Sequence, residues 1–261
     1  MTITADSTRD DRAAIDKAIS ILLSFGGDAS TGVGVSELAR RSDLSKSTAY
    51  RVLQVLERNR VVERAGTSYR LGARLHELGR TVYASDHDAI RDHLTPYLTD
   101  IFVGTQHTVH LAALHGTDVV YLAKLYGHRH IHSPSRVGSR IPAHCTAVGK
   151  VLLAYDAENA QAVMSKPLRQ FTSRTIVDPL TLAADLVAIR RDGVAYENQE
   201  VQPGLSCVAV PIFGSRGAPV AAFSVSGPSG RIDLRSTETT LRRIAGAASH
   251  SLGGRDRALA G

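Results

Sequence analysis

The chain has 261 residues, of which 43% are hydrophobic and 21% charged, with 22 Gly and 9 Pro. This composition is typical of a globular protein and excludes a disordered chain, a collagen and a coiled-coil rod. At about 100 to 200 residues per domain, the length allows one large domain or two ordinary ones. No run approaches the roughly 18 apolar residues of a membrane helix, and the polar start MTITADSTRDD is unlike a signal peptide. We therefore expect a cytoplasmic protein.

The basic residues are concentrated between Ser36 and Arg70. This segment has eight Arg and Lys residues against four Asp and Glu, a net charge of +4 in 35 residues, whereas the other 226 residues carry only +2. A basic segment of this kind is typical of a surface that binds a polyanion.

Three amphipathic helices are predicted around this segment. The first runs from about residue 12 to 25 and ends at two glycines. The second begins at Ser36, which we expect to be its N-cap. The third begins after Ser45, its expected N-cap, and has a buried stripe of Ala49, Val52, Leu53 and Leu56 at helical spacing.

Two short strands follow the third helix. Residues 61–64 and 69–72 flank a turn that contains Gly66, which predicts a hairpin. Helix, helix, short turn, helix and hairpin in about 60 residues is the layout of a winged helix-turn-helix. A further helix over residues 73–85 is expected to connect this unit to the remainder of the chain.

After Asp86 the pattern predicts short apolar strands with interposed helices. Strands are expected at residues 108–114, 119–125, 194–196, 206–213 and 220–226, with hairpin turns at 115–118 and 214–217. Helices are expected at residues 146–155, 157–165, 180–191 and 236–252, and residues 128–144 read as a long loop. Antiparallel strands with helices between them indicate an α+β domain of about 170 residues.

The outward face of the third helix is a candidate for binding double-stranded DNA. A helix that enters the major groove must pack its opposite face on its own domain, and this helix meets both needs. Arg and Lys can bind guanine or phosphate, and Ser and Thr at the helix start can bind phosphate. The candidate DNA-binding residues are Ser36, Lys46, Ser47, Thr48, Tyr50, Arg51 and, on the wing, Arg64 and Arg70.

The sequence gives little support to an enzyme or a metal protein. It has no GxSxG, GxGxxG, GxxxxGK[ST] or HExxH motif, and we expect no cofactor. The neighbours His144 and Cys145 are expected to point apart, and Cys145 and Cys207 to be free thiols. Three alternating histidines (His128, His130 and His132) are a candidate metal face, but no carboxylate or cysteine at ligand spacing completes the set.

A ligand pocket is the preferred interpretation of the second domain. Such pockets are mostly apolar with a few convergent polar groups. Ser224 and Ser226 share one face of a predicted strand, and Cys207 lies on the partner strand of the same hairpin.

Three motifs follow one another along the chain. The first is SELA followed by LSKSTAYRVL, residues 36–39 and 44–53. The second is GSRIPAHCTAVGKVLLA, residues 138–154. The third comprises Glu200, Gly204, Cys207, AVPI at 209–212 and FSVSGP at 223–228. In this order and spacing they resemble the IclR family of bacterial transcription regulators, over residues from about 10 to 251.

The resemblance implies a fold, a set of partners and a mode of action. It implies a winged helix-turn-helix domain at residues 10–72, a linker helix at 73–85, and a GAF-like effector-binding and oligomerisation domain with an antiparallel sheet at 86–255. It further implies homodimers or homotetramers and no catalysis. The effector, a small carboxylate or aromatic acid, is expected at Thr146, Ala147, Glu197, Cys207, Ser224 and Ser226. The family often has Asp where this chain has Glu197, so the acid is one methylene longer here.

The sequence therefore predicts an IclR-type regulator that represses a catabolic operon and whose operator binding responds to a small organic or aromatic acid. A metal-sensing or enzymatic module with an appended DNA-binding domain is the alternative, which metal content and turnover of a bound molecule would distinguish.

Overall fold

The computed structural model describes residues 13–26, 31–82, 87–128 and 133–259. The chain divides into two compact units, with the division between Ala84 and Ser85. Each unit has its own hydrophobic core.

The first unit is a small helical domain with a three-stranded antiparallel sheet. Its elements are α1 (Ala14–Ser24), β1 (Val33–Gly34), α2 (Val35–Arg41), α3 (Lys46–Arg58), β2 (Val62–Ala65), β3 (Ser68–Leu71) and α4 (Ala73–Val82). The strand order is β1-β3-β2. The core beneath the helices includes Ile21, Phe25, Leu38 and Leu53, all fully buried. Helices α1, α2 and α3 and the β2–β3 hairpin follow the sequence prediction closely.

The start of α2 differs from the prediction. The N-cap is Gly34, whose backbone is extended, and Ser36 lies within the first turn, so the N-cap assignment of Ser36 was wrong. The reason is strand β1, which the sequence analysis missed: Val33 pairs with Tyr69 and Gly34 with Ser68 of β3. This pairing holds the chain extended up to Gly34, and the helix begins directly afterwards.

The second unit is built on a six-stranded antiparallel sheet. Its strands are β4 (Thr108–His115), β5 (Asp118–Leu125), β6 (Arg140–Pro142), β7 (Ala195–Asn198), β8 (Leu205–Phe213) and β9 (Pro219–Pro228). Their order across the sheet is β6-β5-β4-β9-β8-β7. The β4–β5 and β8–β9 hairpins occur where the Gly-containing turns predicted them.

Helices cover both faces of this sheet. They are α5 (His87–Thr105), α6 (Ala147–Leu153), α7 (Ala157–Met164), α8 (Pro179–Asp192) and α9 (Leu234–Leu259). Helices α5 and α9 pack against Val109, Leu111 and neighbouring residues on one face. Helices α6, α7 and α8 pack against the opposite face, which includes Ala112 and Tyr121. Because successive side chains of a strand point to opposite faces of the sheet, each face contributes to a separate hydrophobic core.

Two elements of the second unit were not predicted. The sequence analysis expected strands after Asp86 and placed no helix at α5, which has Pro96 in its middle. Pro96 lies on the exposed side of the helix, as does Asp92, so the Asp92 carbonyl that lacks an N–H partner at residue 96 can be hydrated. Leu94, Leu98 and Ile101 are buried. The long loop also contains strand β6, which pairs with β5. The expected α+β class, with a winged helix-turn-helix unit followed by a unit built on an antiparallel sheet, is nevertheless confirmed. Among the described residues, every helix is too short or too polar to cross a bilayer.

Candidate functional site

Helix α3 has an exposed polar face, and its N-cap and buried residues hold the helix in place. The Ser45 hydroxyl accepts a hydrogen bond from the Thr48 backbone N–H at 3.2 Å, as a helix N-cap should. Ala49, Leu53 and Leu56 are buried in the core of the first unit, and Val52 is half-buried. The opposite face is exposed and consists of Lys46, Ser47, Tyr50, Arg51 and Gln54.

The ion pairs of α2 and α3 differ. On α2, Glu37 binds Arg40 at 2.6 Å and Arg41 at 2.7 Å. These hydrogen bonds lower the pKa of Glu37 to about 2. On α3, neither Lys46 nor Arg51 has an ion-pair partner among the residues that the structure describes. Lys46 and Arg51 of α3 are therefore free to bind an external anion, whereas Arg40 and Arg41 of α2 are paired with Glu37.

The remaining predicted DNA-binding residues lie on α2, on α3 and on the β2–β3 hairpin. Ser36 is exposed in the first turn of α2, and Thr48 is half-buried with its hydroxyl 2.9 Å from that of Ser45. On the hairpin, Arg64 is exposed and donates to the Gly66 carbonyl, and Arg70 is exposed and pairs with Glu63 at 2.9 Å.

The second unit contains a cavity between the sheet and the start of α6. Five of the six residues predicted to bind an effector line it, namely Thr146, Ala147, Glu197, Cys207 and Ser224. The sixth, Ser226, is buried and stands directly opposite Cys207 in the strand register, outside the cavity wall. The free volume is about 20 Å³, enough for one or two water molecules. A larger ligand must therefore move the walls apart.

Thr146 fixes the start of α6 at this cavity. Its side chain accepts a hydrogen bond from the Gly149 N–H at 2.9 Å, so it is the helix N-cap. The next two N–H groups, those of Ala147 and Val148, belong to the first turn and have no carbonyl of the helix to bond with. Gly149 is required because a Cβ there would lie 2.1 Å from the Ala143 carbonyl oxygen.

Glu197 is the acid of the cavity. Its side chain is buried, and its Oε1 accepts hydrogen bonds from the N–H groups of Glu200 at 2.5 Å and Val201 at 3.2 Å. Burial raises the pKa of Glu197 to about 7. The two hydrogen bonds favour the charged form and lower the pKa, but burial has the larger effect. Near neutral pH, the carboxyl group is therefore present in both protonation states.

Next to the cavity is a buried ion pair formed by residues of two family motifs. The Lys150 ammonium lies 2.8 Å from Glu200 and 3.0 Å from Asp185, and only 3% of the lysine side chain is exposed. Because the backbone N–H of Glu200 donates to Glu197, this pair connects α6 to the loop after β7 that is hydrogen-bonded to the cavity acid. The role of Lys150 is therefore to fix that loop.

Sequence analysis missed four polar residues of the cavity wall: His110, Tyr121, Ser133 and Ser135. His110 Nε2 is 2.9 Å from the Ser135 hydroxyl, and His110 Nδ1 is 3.3 Å from the Ser224 hydroxyl. Burial, together with the nearby charge of Lys124, lowers the pKa of His110 to about 3, so the ring is neutral. The available signal was a single histidine among the apolar residues of the predicted strand at 108–114.

The histidines and cysteines considered for catalysis or metal binding do not form such a site among the described residues. His144 Nε2 donates to the Arg169 carbonyl, and the Cys145 thiol donates to the Pro142 carbonyl, so they do not form a pair. Burial raises the pKa of Cys145 to about 12, and both cysteines are free thiols. His128 is exposed, whereas His130 and His132 lie outside the described residues. Within the described ranges, no cluster of His, Cys, Asp and Glu could hold a metal ion.

A winged helix-turn-helix with a free basic helix, together with a second domain that encloses a cavity lined by several polar side chains, is typical of transcriptional regulators. Two family models match the chain: the IclR helix-turn-helix domain at residues 14–66 and the bacterial transcriptional regulator IclR C-terminal domain at residues 82–251. The chain belongs to the IclR family of bacterial transcriptional regulators.

Known regulators and solved structures agree with this assignment. The chain is 34% identical to the regulator KdgR of Dickeya chrysanthemi, over 86% of this chain and 73% of that one. It is 32% identical to XynR of Escherichia coli, over 92% and 97%. The crystal structure of an IclR homolog from Microbacterium hydrocarbonoxydans complexed with 4-hydroxybenzoate has a TM-score of 0.78 at 28% identity, covering 92% of this chain and 99% of that one. The protein is thus a transcriptional regulator and not an enzyme.

Proposed function

We propose that the protein represses a catabolic operon by binding its operator, and that a small organic acid in the cavity modulates this binding. The free basic face of α3 is the observation that supports operator binding. A similar protein from Escherichia coli, 31% identical over 84% of this chain and 81% of that one, is named the transcriptional repressor AllR. Since its operator is bacterial DNA, we place the protein in the cytoplasm. On the family resemblance, we propose that it is a homodimer or homotetramer.

On the DNA side, α3 would enter the major groove. Arg51, which is exposed and has no ion-pair partner among the described residues, is the candidate for reading a base, and Lys46 and Tyr50 would contact neighbouring groups. Ser36, Ser47 and Thr48 would bind phosphate near helix starts, and Arg64 and Arg70 would follow the DNA backbone along the wing.

Operator binding is tested with the Arg51→Ala variant. If Arg51 reads a base, the variant loses about 1 to 3 kcal/mol of operator affinity. Fluorescence anisotropy with DNA from the region upstream of the protein's own gene measures this at two salt concentrations. Arg216→Ala, which removes an exposed arginine from the β8–β9 turn of the other unit, is the matched control. Equal affinity of both variants would remove Arg51 from the contact surface.

On the effector side, the polar cavity favours a small acid. The N–H groups of Ala147 and Val148, beside the Thr146 hydroxyl, can donate hydrogen bonds to a carboxylate at the start of α6. Glu197 can donate a hydrogen bond to such a ligand in its neutral form. Cys207 and Ser224 complete the wall, and Ser226 supports Cys207 from the neighbouring strand.

The coupling between the two sites follows from linkage. An effector changes DNA affinity only by its differential affinity for two arrangements of the protein. Because the cavity holds only one or two water molecules, a bound acid must move its walls, and this displacement supplies such a difference. We propose that the helix at residues 73–85, described as α4 over Ala73–Val82, transmits the change between the units.

The double variant Ser224→Ala and Ser226→Ala tests this coupling. We expect a weaker effect of the acid on DNA binding, while DNA affinity without the acid is unchanged. Ser165→Ala, at the exposed end of α7, is the control. Loss of DNA binding by the double variant in the absence of acid would indicate misfolding rather than loss of an effector contact.

A further inference from the structure

Helix α8 has an apolar outer face at the surface of the second unit. Its inner face, with Leu182, Leu186 and Ile189, is buried in the core. On the outer face, Leu180 is 80% exposed and Val187 is 72% exposed. These two residues are seven positions apart and lie above one another, two helical turns apart, on the same side of the helix. Large apolar side chains exposed together on one helix face are typical of an interaction surface.

The centre of this face is flat. Ala184, between Leu180 and Val187, is exposed, and Ala183 beside it is half-buried. Because the distance between two packed helices depends on the side chains at the contact, alanines allow a second helix to approach closely. The outer face therefore has a bulky side chain on each side of a small central region.

A groove of about 680 Å³ runs along α8 beside Val187. On the α8 side it is lined by Ala183, Val187 and Arg190, and Met164 is part of the α7 side. This volume is ample for a leucine side chain from another molecule. The same helix thus has a protruding Leu180 and, two turns further on, an open groove.

A second copy of α8 is complementary to this surface if the two helices pack antiparallel about a two-fold axis at Ala183 and Ala184. Leu180 and Val187 are at equal distances from such an axis. Leu180 therefore lies opposite the partner's Val187, at the partner's groove, and the symmetry repeats the contact on the other side. One patch is then sufficient for both copies.

The charges at the ends of α8 favour the antiparallel orientation. Asp178 caps the N-terminus, and its hydrogen bonds with the Thr181 hydroxyl and N–H lower its pKa, so it is ionised at neutral pH. The last turn has the exposed residues Arg190 and Arg191, and Arg190 is held by a hydrogen bond to the Ala154 carbonyl at 3.0 Å. An antiparallel pair places the acidic end beside the partner's basic end, whereas a parallel pair would place like charges together.

We propose that the outer face of α8 is a contact between two copies of the chain, in which antiparallel α8 helices insert Leu180 into the groove beside the partner's Val187. The inference rests on the proposed homo-oligomeric state and names a surface for it. A stable interface buries about 800 Å² on each partner, more than two side chains provide. The α7 wall of the groove and Val177, which is 44% exposed just before α8, therefore belong to the contact as well.

Analytical ultracentrifugation of the full-length protein over a range of concentrations tests the inference. Leu180→Glu and Val187→Arg each place a charge against an apolar side chain, twice per contact. We expect each variant to raise the dissociation constant of the contact about a hundredfold or more. At a concentration where the unaltered protein is assembled, each variant should therefore have half its mass. Val103→Glu, at a 65% exposed position of α5, is the matched control and should leave the mass unchanged.

The double variant Leu180→Glu and Val187→Arg tests the register. In the antiparallel pair, the introduced acid lies opposite the partner's introduced base, so the double variant should associate at least about tenfold more tightly than either single variant. A thermal unfolding curve for each variant identifies any that fail to fold.

A disulfide cross-link provides an independent measurement. Ala184→Cys lies next to the two-fold axis and should form a disulfide between two copies under mild oxidation. Ala247→Cys, at an exposed position of α9, is the control and should not cross-link.

The outcomes separate this inference from the oligomeric state on which it rests. If both single variants keep the mass of the unaltered protein, the α8 contact is overturned, while the oligomer itself stands and uses another surface. A double variant that associates no better than the single ones would overturn the antiparallel register. If the unaltered protein is a monomer at every concentration, the proposed oligomeric state is wrong, and the inference with it.

Discussion

The protonation of Glu197 should control how tightly an acid binds in the cavity. Its pKa of about 7 means that the group changes charge across the physiological range. When Glu197 is ionised, it repels the carboxylate of the effector, and when it is neutral, it can donate a hydrogen bond to it. Effector affinity should therefore fall as the pH rises through 7. Replacing Glu197 with Gln keeps the neutral amide at every pH and should remove this dependence.

The magnitude follows from the titration of a single group. With a pKa of about 7, the neutral fraction of Glu197 falls from about 0.9 at pH 6 to about 0.09 at pH 8, so the apparent dissociation constant rises about tenfold if only the neutral form binds. The other groups of the cavity do not titrate in this range. The pKa of His110 is about 3, and burial raises the pKa values of Tyr121 and Cys207 well above their usual values. Glu200, which lies outside the cavity wall, has its pKa raised by burial, and its ion pair with the Lys150 ammonium opposes that shift.

Isothermal titration of the full-length protein at pH 6, 7 and 8, with whichever of acetate, pyruvate, lactate, benzoate and 4-hydroxybenzoate binds most tightly, measures the effect. The unaltered protein should lose about tenfold in affinity over this range, and the Glu197→Gln variant should lose less than twofold. An affinity that is constant from pH 6 to 8 in the unaltered protein would refute the reasoning. An affinity that rises with pH would refute it as well, because these acids carry no cationic group for the ionised Glu197 carboxylate to attract.

Three substitutions test the stability arguments by urea unfolding. Lys150→Met leaves the Glu200 carboxylate buried without its partner and should cost about 3 to 5 kcal/mol, part of which the double variant with Glu200→Gln should recover. Ser45→Ala removes the cap of α3 and should cost about 0.5 to 2 kcal/mol. Leu53→Ala, at a fully buried position, should cost about 2 to 5 kcal/mol. A loss below 1 kcal/mol for Lys150→Met or Leu53→Ala, or none for Ser45→Ala, would contradict the corresponding argument.

Elements set by local chemistry were predicted well. The third helix follows from apolar residues at helical spacing and from Ser45, and the structure shows both the buried stripe and the cap. The hairpin at residues 115–118 follows from Gly116, whose φ of 59° is easily adopted by glycine. These features depend on neighbours in the sequence, so a sequence pattern contains the information.

Elements set by distant contacts were predicted poorly. Ser36 is a good N-cap by residue type, but the pairing of Val33 with Tyr69 placed the cap at Gly34. Helix α5 was missed because Pro96 is unfavourable inside a helix, and the exposure of that residue is visible only once α5 packs on the sheet. In both cases, the local structure depends on a contact with residues that are distant in the sequence.

The residues of the candidate cavity also divide into those that the sequence indicated and those that only the structure revealed. By itself, the sequence determined the two-part organisation, the basic helix and, through the family resemblance, five residues of the cavity wall. Only the tertiary structure decided that His110, Tyr121 and Ser135 join that wall, because strand order and register bring β4, β5 and the loop between β5 and β6 to one face. It also set the pKa of Glu197, since that value depends on burial. Periodicity and capping are local in the chain, whereas burial and convergence arise only when distant segments pack together.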